Sequence, residues 1–331
     1  MPDNSRVLVA ETGRTLLSMG LVARTWGNIS ARVDEHSFAI SPSGLSYESM
    51  TEEDVPIYDF AADTWEGSRK PSSEKKIHAA AYELYPEVNF VIHTHQDYAT
   101  AVGLAGADRL KLTEEEKSLL GNIEVAGYGL PGTGKLKKNV EAALKKGSKV
   151  VLMVHHGAVI LGDDQEDAIN KAKVLEEACK RTVMEAIGAG NAGENQKYTP
   201  EKLSDTLLKA CSDLVVVSDD NIIHASKTPG IRAELDDIAQ MIGPKLRCVA
   251  NDDAQILKAL SLQDAVLVRN VGCVILTEDP DDAKALEMLV KKAAMTRRYT
   301  RAVGVKNELT TFDCRLMNIV FKKKYARKKA G

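Results

Sequence analysis

The sequence predicts an α/β protein made of one domain followed by a diverged, shortened copy of it. Three observations point there. Short apolar strand patterns alternate with helical ones, a block recurs 115 positions downstream, and 331 residues exceed one average domain. In the recurrence, residues 149–168 lie over 264–283 without a gap, and nine of the 20 positions are identical. The identities include Gly157/Gly272, Val159/Val274, Ile160/Ile275 and Asp164/Asp279. Both copies run on into a long helix rich in Ala, Lys and Glu. The first domain is expected over residues 1–190 and the copy over 197–331. The small, polar stretch 188–195, with three glycines, is the expected linker.

The elements follow in order. Residues 6–24 carry Val7, Leu8, Leu16, Leu17, Leu21 and Val22 at mostly helical spacing, broken by Gly20. After the Gly27-Asn28 turn, residues 38–40 read as a short strand entering the turn Ser41-Pro42-Ser43-Gly44. Residues 55–60 form a second strand, where Pro56 suits an edge. Pro71-Ser72-Ser73-Glu74 has the form of a helix start with hydroxyl caps, ahead of a helix over 77–84. Strands are predicted over 90–95 and 150–154, with a glycine-rich loop at 127–134 between them. A long helix covers 164–187. Past the linker come strands at 214–217, 265–268 and 274–276, and a basic tail at 321–329.

Composition narrows the function classes. With 44 Lys plus Arg against 47 Asp plus Glu, the net charge is −3, which offers no general attraction for nucleic acid. Aromatic residues are 5%, too few to suggest stacking platforms for single strands. No apolar run approaches the ~20 residues of a membrane span, and the first residues lack a signal peptide's basic and apolar regions. The five cysteines are widely spaced and form no CxxC, so a reducing cytoplasm is the expected location.

Four of the seven histidines fall in two tight clusters, His93-Thr94-His95 and His155-His156. On a strand, residues i and i+2 share a face, so His93 and His95 can present two imidazoles to one ion. A third imidazole from a neighbouring strand would complete a set that leaves one position open for substrate. The plainer reading is two unrelated pairs of half-buried strand histidines. His36, His78 and His224 are isolated and read as surface or packed residues. Glu74, beside two serines, is either a helix-terminus acid or a carboxylate serving as ligand or acid/base. Ser72 and Ser73, at a helix start, can meet a phosphate, as can the turns Gly27-Asn28-Ile29-Ser30 and Ser43-Gly44.

Taken together, Thr25-Trp26-Gly27-Asn28-Ile29-Ser30-Ala31, Ile40-Ser41-Pro42-Ser43-Gly44, Lys70-Pro71-Ser72-Ser73-Glu74, Val91-Ile92-His93-Thr94-His95 and His155-His156-Gly157 resemble the class II aldolase/adducin family, in family order, over roughly residues 5–187. The resemblance implies a three-layer α/β/α domain with a central, mainly antiparallel sheet. It implies a divalent metal, zinc first and manganese or cobalt as alternatives, held by His93, His95 and His156, with His155 a neighbour. Glu74 becomes the catalytic acid/base. Gly27, Asn28, Ser43, Gly44, Ser72 and Ser73 become the substrate-phosphate pocket. The implied reaction cleaves a phosphoketose through a metal-stabilised enediolate. Family members are commonly homo-oligomers with sites near subunit interfaces, so a homo-oligomer is expected, with no nucleic-acid or membrane partner.

Some positions depart from the family pattern. Glu rather than Asp after the paired serines looks like the aldolases and dehydratases, whereas Thr25-Trp26-Gly27-Asn28 is closer to the epimerases. The family's tyrosine after the His-x-His strand is absent, since residues 111–117 are a charged segment that reads as a solvated helix. Tyr128 is the candidate proton donor in its place. In the copy, His155 and His156 fall on Asn270 and Val271, so no metal of this kind is expected there. The copy's turn Ser226-Lys227-Thr228-Pro229-Gly230 is a candidate for completing a neighbouring pocket, against a purely structural role. The alternatives to an aldolase are an epimerase or dehydratase on a related sugar phosphate, or a non-catalytic adducin-like scaffold using its basic tail.

Overall fold

The computed structural model describes residues 4–190 and 199–329. The chain divides into two units, Met1–Val183 and Met184–Gly331. The division falls inside a helix rather than at the glycine-rich stretch. Residues 188–190 close that helix, and residues 191–198 lie outside the described residues. Small residues there continue a helix already propagating, which costs far less than nucleating one.

The first unit runs α1 Ser5–Ser18, β1 Asn28–Arg32, β2 Ser37–Ile40, β3 Ile57–Asp59, β4 Thr64–Glu66, α2 Lys75–Leu84, β5 Phe90–Thr94, α3 Asp97–Ala105, α4 Glu114–Leu120, β6 Ile123–Ala126, α5 Gly134–Leu144, β7 Val150–Met153, β8 Gly157–Gly162 and α6 Gln165–Gly190. The sheet order is β4-β3-β2-β1-β5-β8-β7-β6. Every pair is antiparallel except β6 and β7. The first helix stops at Ser18, short of the expected span, and Gly20 takes a left-handed φ of 70° just beyond its cap. The strand around Pro56 shrinks to three residues.

Strand alternation assigns the two faces. Val91, Val151, Met153, Val159 and Leu161 pack on one face with Ile77, Ala81, Leu136 and Val140 of α2 and α5. On the other face α1 lies over β1 and β2, and Gly103 of α3 meets Leu152. Behind α3, the Glu176 carboxylate of α6 accepts from the Tyr98 and Ala99 amides at 2.9 Å, and Gln96 donates to the Ala172 carbonyl. The result is three layers around a mainly antiparallel sheet. Residues 111–117 do contribute to a helix, α4, started by a Thr113–Glu116 capping box.

The second unit contains α7 Asp205–Ala210, β9 Val215–Val217, α8 Asp220–Ser226, β10 Gly230–Arg232, α9 Asp236–Met241, β11 Lys245–Val249, α10 Asp253–Leu260, β12 Ala265–Val268, β13 Gly272–Ile275, α11 Pro280–Ala302 and α12 Thr311–Lys329. Its sheet order is β10-β11-β12-β13-β9. Four of these strands repeat the connectivity of the first unit. Parallel β11 and β12 flank α10 as β6 and β7 flank α5, β13 returns antiparallel as β8 does, and β9 occupies the place of β5. Even the register agrees: His93 faces Val159, and Val216 faces Val274, the residue aligned with Val159.

The shared hairpin rests on two backbone constraints. His155 and Asn270 both hold left-handed φ, 69° and 60°, in the connecting turn. A Cβ at Gly157 would strike the Thr94 carbonyl oxygen, and one at Gly272 would strike that of Val217. Among the described residues, counterparts of β1 to β4 and α2 are missing from the second unit. The basic stretch 321–329, expected as a tail, forms the last turns of α12. No helix among the described residues is long and apolar enough to cross a membrane.

Gly157→Ala is expected to lower stability by about 2–3 kcal/mol in urea unfolding, because the new methyl must push β5 away. The aligned Gly272→Ala should show a loss of similar size, aggravated by a φ of 137°. A variant as stable as the parent would contradict this close-packing account.

Candidate metal centre

The site forms where the ends of β1, β5 and β8 meet the start of α2. Asn28, His93 and Val159 form one rung across three strands. His93 follows Val91 at the two-residue period, and this puts its ring on the α2 side of the sheet. His95 lies one residue past the end of β5 rather than within it, yet its ring still meets that of His93, 4.8 Å away. His156 enters from the turn before β8, whose left-handed His155 swings the next residue toward the cluster. Gly27, at φ 80°, lets the chain pass close to the His93 carbonyl, where a Cβ would sit 2.5 Å away.

Glu74 occupies the N-cap position of α2, but its side chain makes no cap bond. The expected hydroxyl caps are absent too. Ser72 Oγ instead accepts from the Glu74 amide at 3.3 Å, forming a turn just outside the helix. Forgoing a cap costs about 1 kcal/mol. In exchange the carboxylate points into the histidines. Its Oε1 is 3.2 Å from His156 Nε2, and its Oε2 is 3.3 Å from His93 Nε2 and 3.0 Å from Asn28 Nδ2. His95 Nε2 is 3.0 Å from His93 Nε2. The His93 and His156 rings stack 5.0 Å apart, 7° from parallel.

This donor set fits a divalent ion. Four ligands at about 2.0–2.1 Å in a tetrahedron lie about 3.3 Å from one another, close to the N–N and N–O separations found here. The three imidazole ligand atoms all lie within 4.8 Å of one another. His93 Nδ1 donates to the Ala158 carbonyl at 2.9 Å, so its Nε2 keeps a lone pair directed at the cluster. Burial holds His93 well below the usual imidazole range against the opposing pull of Glu74, with neighbouring His95 and His156 adding to the lowering. Burial pushes the Glu74 carboxyl up, but His156, His93 and Asn28 outweigh it and hold it well below the usual carboxylate range. Both directions run toward the forms that bind a metal, neutral imidazole and ionised carboxylate.

The other expected residues surround this cluster in two groups. The Ser43 amide donates to the Lys70 carbonyl and the Ser72 amide to the Ser41 carbonyl, so the Ser43-Gly44 and Ser72-Ser73 turns lie side by side. Gly44 is left-handed at φ 76°. Ser72 is buried, whereas Ser73 is exposed and borders the glycine-rich loop, with the Cβ position of Gly132 3.6 Å from its Oγ. Asn28 is buried, and its amide is engaged with Glu74 and His78. The Tyr128 ring stands edge-on to that of His155, 5.0 Å between centroids.

His78, read from sequence as a surface or packed histidine, is buried directly behind this cluster. Its Nε2 bonds Asn28 Oδ1, and its Nδ1 lies 2.6 Å from Ser30 Oγ, which also bonds the Tyr82 hydroxyl at 2.8 Å. A signal was present: Glu74, His78 and Tyr82 recur at i, i+4 and i+8 on one helix, and Asn28 and Ser30 at i and i+2 on one strand.

The profile of the Class II Aldolase and Adducin N-terminal domain matches residues 7–183, more than half of the chain. The chain belongs to the class II aldolase/adducin family. Members of this family are metal-dependent aldolases and their relatives, and the match ends where the first unit ends. An L-fuculose 1-phosphate aldolase is similar at 27% identity and a TM-score of 0.52, over 63% of this chain and 95% of that one. YgbL of Klebsiella pneumoniae, named as an aldolase/epimerase/decarboxylase candidate, shares the fold at 22% identity and a TM-score of 0.51, over 62% of this chain and 97% of its own. YgbL of Escherichia coli does so at 21% and 0.50, over 61% and 94%.

Burial drives His78 down to about 3, outweighing the opposing pull of Glu74. An unfolded histidine titrates near 6.5, so as pH falls below that value the unfolded chain takes up a proton that native His78 refuses. Stability is therefore whole above about pH 6.5 and falls toward pH 3, by up to about 1.4 kcal/mol per pH unit from this residue. In urea unfolding across this window, His78→Gln should show a slope shallower by close to one proton. An unchanged slope would mean that native His78 is protonated.

Proposed function

We propose that the first unit is a metal-dependent sugar-phosphate aldolase, a carbon–carbon lyase that cleaves a phosphoketose with Glu74 as acid/base. The observation that carries this reading is the buried Glu74 carboxylate, 3.2 and 3.3 Å from two imidazoles of a three-imidazole cluster, beside turns suited to a phosphate. His93, His95 and His156 would hold the ion, with Glu74 beside them. A nitrogen-rich set with one oxygen suits zinc, with manganese or cobalt as substitutes. Bound there, the ion would supply Lewis-acid polarisation of the substrate carbonyl and offset the negative charge that bond cleavage leaves on the retained fragment.

The chain's own groups do the remaining work. Gly27, Gly44, Ser43, Ser72 and Ser73 present small, protic backbone and hydroxyl groups to a phosphate. That remote contact fixes the reacting carbons in place. Asn28 has one amide hydrogen committed to Glu74 and another left for the same anion. In the direction of condensation, a Glu74 oxygen takes the proton from the carbon beside the carbonyl, and in cleavage it returns that proton. Tyr128, on the loop beside Ser73, is the candidate group that donates a proton to the aldehyde oxygen in condensation and takes the hydroxyl proton of the departing fragment in cleavage. Oligomerisation, expected for the family, would bring further groups to the pocket rim, while the second unit serves as a structural lobe. All three histidines and Glu74 are retained, which favours an enzyme over a scaffold.

The test is a panel of ketose and deoxyketose phosphates offered to zinc-loaded protein, followed for an aldehyde and a phosphorylated three-carbon ketone. Glu74→Gln should fold normally and lose about 10²- to 10⁴-fold in kcat. Epimerised or dehydrated product without cleavage would replace the aldolase reading with one of its relatives.

A further inference from the structure

We propose that His78 is a positioning residue for Glu74, acting through Asn28, and that Ser30 and Tyr82 fix the direction of the hydrogen-bond chain between them. The proposal rests on reading Glu74 as the acid/base, and it gives His78 and Tyr82 a role that no expectation from sequence included.

The direction follows from donor and acceptor chemistry. Asn28 Nδ2 faces Glu74 Oε2 at 3.0 Å, and the amide NH2 is the donor of that pair. Asn28 Oδ1 then faces His78 Nε2, which must carry the ring hydrogen. A neutral imidazole has one donor and one acceptor, so His78 Nδ1 accepts, and the Ser30 hydroxyl 2.6 Å away donates to it. The remaining Ser30 lone pair takes the Tyr82 hydroxyl at 2.8 Å. The chain thus runs Tyr82 to Ser30 to His78 to Asn28 to Glu74, each group donating to the next.

The reverse direction needs Asn28 turned over, with its carbonyl oxygen against the carboxylate, two acceptors in contact in a site from which water is excluded. That arrangement is costly. An asparagine amide alone can rotate between the two states. Here it cannot do so without also reversing His78, Ser30 and Tyr82, all buried. Phe38 further restrains the His78 ring, stacked 6.2 Å away between centroids. His78 thereby presents a fixed donor to Glu74 Oε2 and leaves Oε1 directed at His156. Its burial-driven low pKa fits a ring that stays neutral in this role.

Two measurements test this. In full-length protein with 15N-labelled histidine, NMR should find His78 as the Nε2–H tautomer, with or without zinc. The Nδ1–H tautomer would overturn the proposal, whatever the enzyme's activity. In kinetics with the substrate that the parent turns over, His78→Phe keeps a planar ring but neither nitrogen. Its kcat should fall about tenfold or more, with KM within about twofold and zinc content unchanged, and His78→Gln should recover part of the loss.

Should His78→Phe fail to fold, Tyr82→Phe removes one hydroxyl at the far end of the chain and should lower kcat by about threefold or more. A folded variant with parental kcat, or a kcat loss that only tracks lost zinc, would overturn the positioning role. If the parent cleaves none of the panel, the aldolase reading fails, and the tautomer alone then decides the proposal.

Discussion

An ionised carboxylate taken out of water has to be met by donors or cations on every side, and the first unit is organised around meeting that demand at Glu74. The need explains why the residue sits at a helix start yet declines to cap it. It explains why three strand ends converge there, and why Gly27 and Gly157 carry no side chain where β1 and β8 pass β5. Two imidazoles and an amide surround the carboxylate, and the amide is itself braced from behind by His78, Ser30 and Tyr82. A divalent ion shared by the imidazoles and the carboxylate would turn a strained cluster into a satisfied one. The chemistry proposed for the site uses the same feature: a base shielded from water, beside a Lewis acid.

Much of the centre was legible in the chain because its ligands lie in short local patterns. His93-Thr94-His95, His155-His156-Gly157 and Ser72-Ser73-Glu74 each declare themselves within a few residues. His78 did so only faintly, through its helical spacing from Glu74 and Tyr82, a pattern that any polar stripe on a helix can show. Its role exists only because β1, some 50 residues earlier, lies across α2, as the Asn28–His78 bond shows. The capping role expected of Ser72 and Ser73 failed for a related reason. A helix-start pattern reports propensity, and here the demands of the site override it. Of the expected linker, residues 188–190 close α6, since glycine and alanine in a long helix look the same as in a loop, and the rest lies outside the described residues.

The two units share a hairpin and its strand order, and the residues aligned with the three histidines of the first are not histidines in the second. Sequence likeness reaches only from β12 through the start of α11, but the architectural match extends to β9 and α8, where identity has faded. The features held in common are steric ones. A glycine admits the neighbouring strand's carbonyl, and a left-handed residue turns the hairpin. At the positions of His93, His95 and His156 stand Val216, Ser218 and Val271, which leave no imidazole to bind an ion. We regard this unit as a diverged copy that retains the scaffold of the metal site without its chemistry.

The measurement closest to the central claim is X-ray absorption at the zinc edge of the full-length protein loaded with zinc and freed of excess metal. The account predicts one tightly held ion per chain, in a shell of three imidazole nitrogens and one oxygen at about 2.0–2.1 Å. In His93→Ala, that ion should be lost. A protein that retains no ion when zinc is plentiful, or an ion whose shell contains no imidazole, would contradict it.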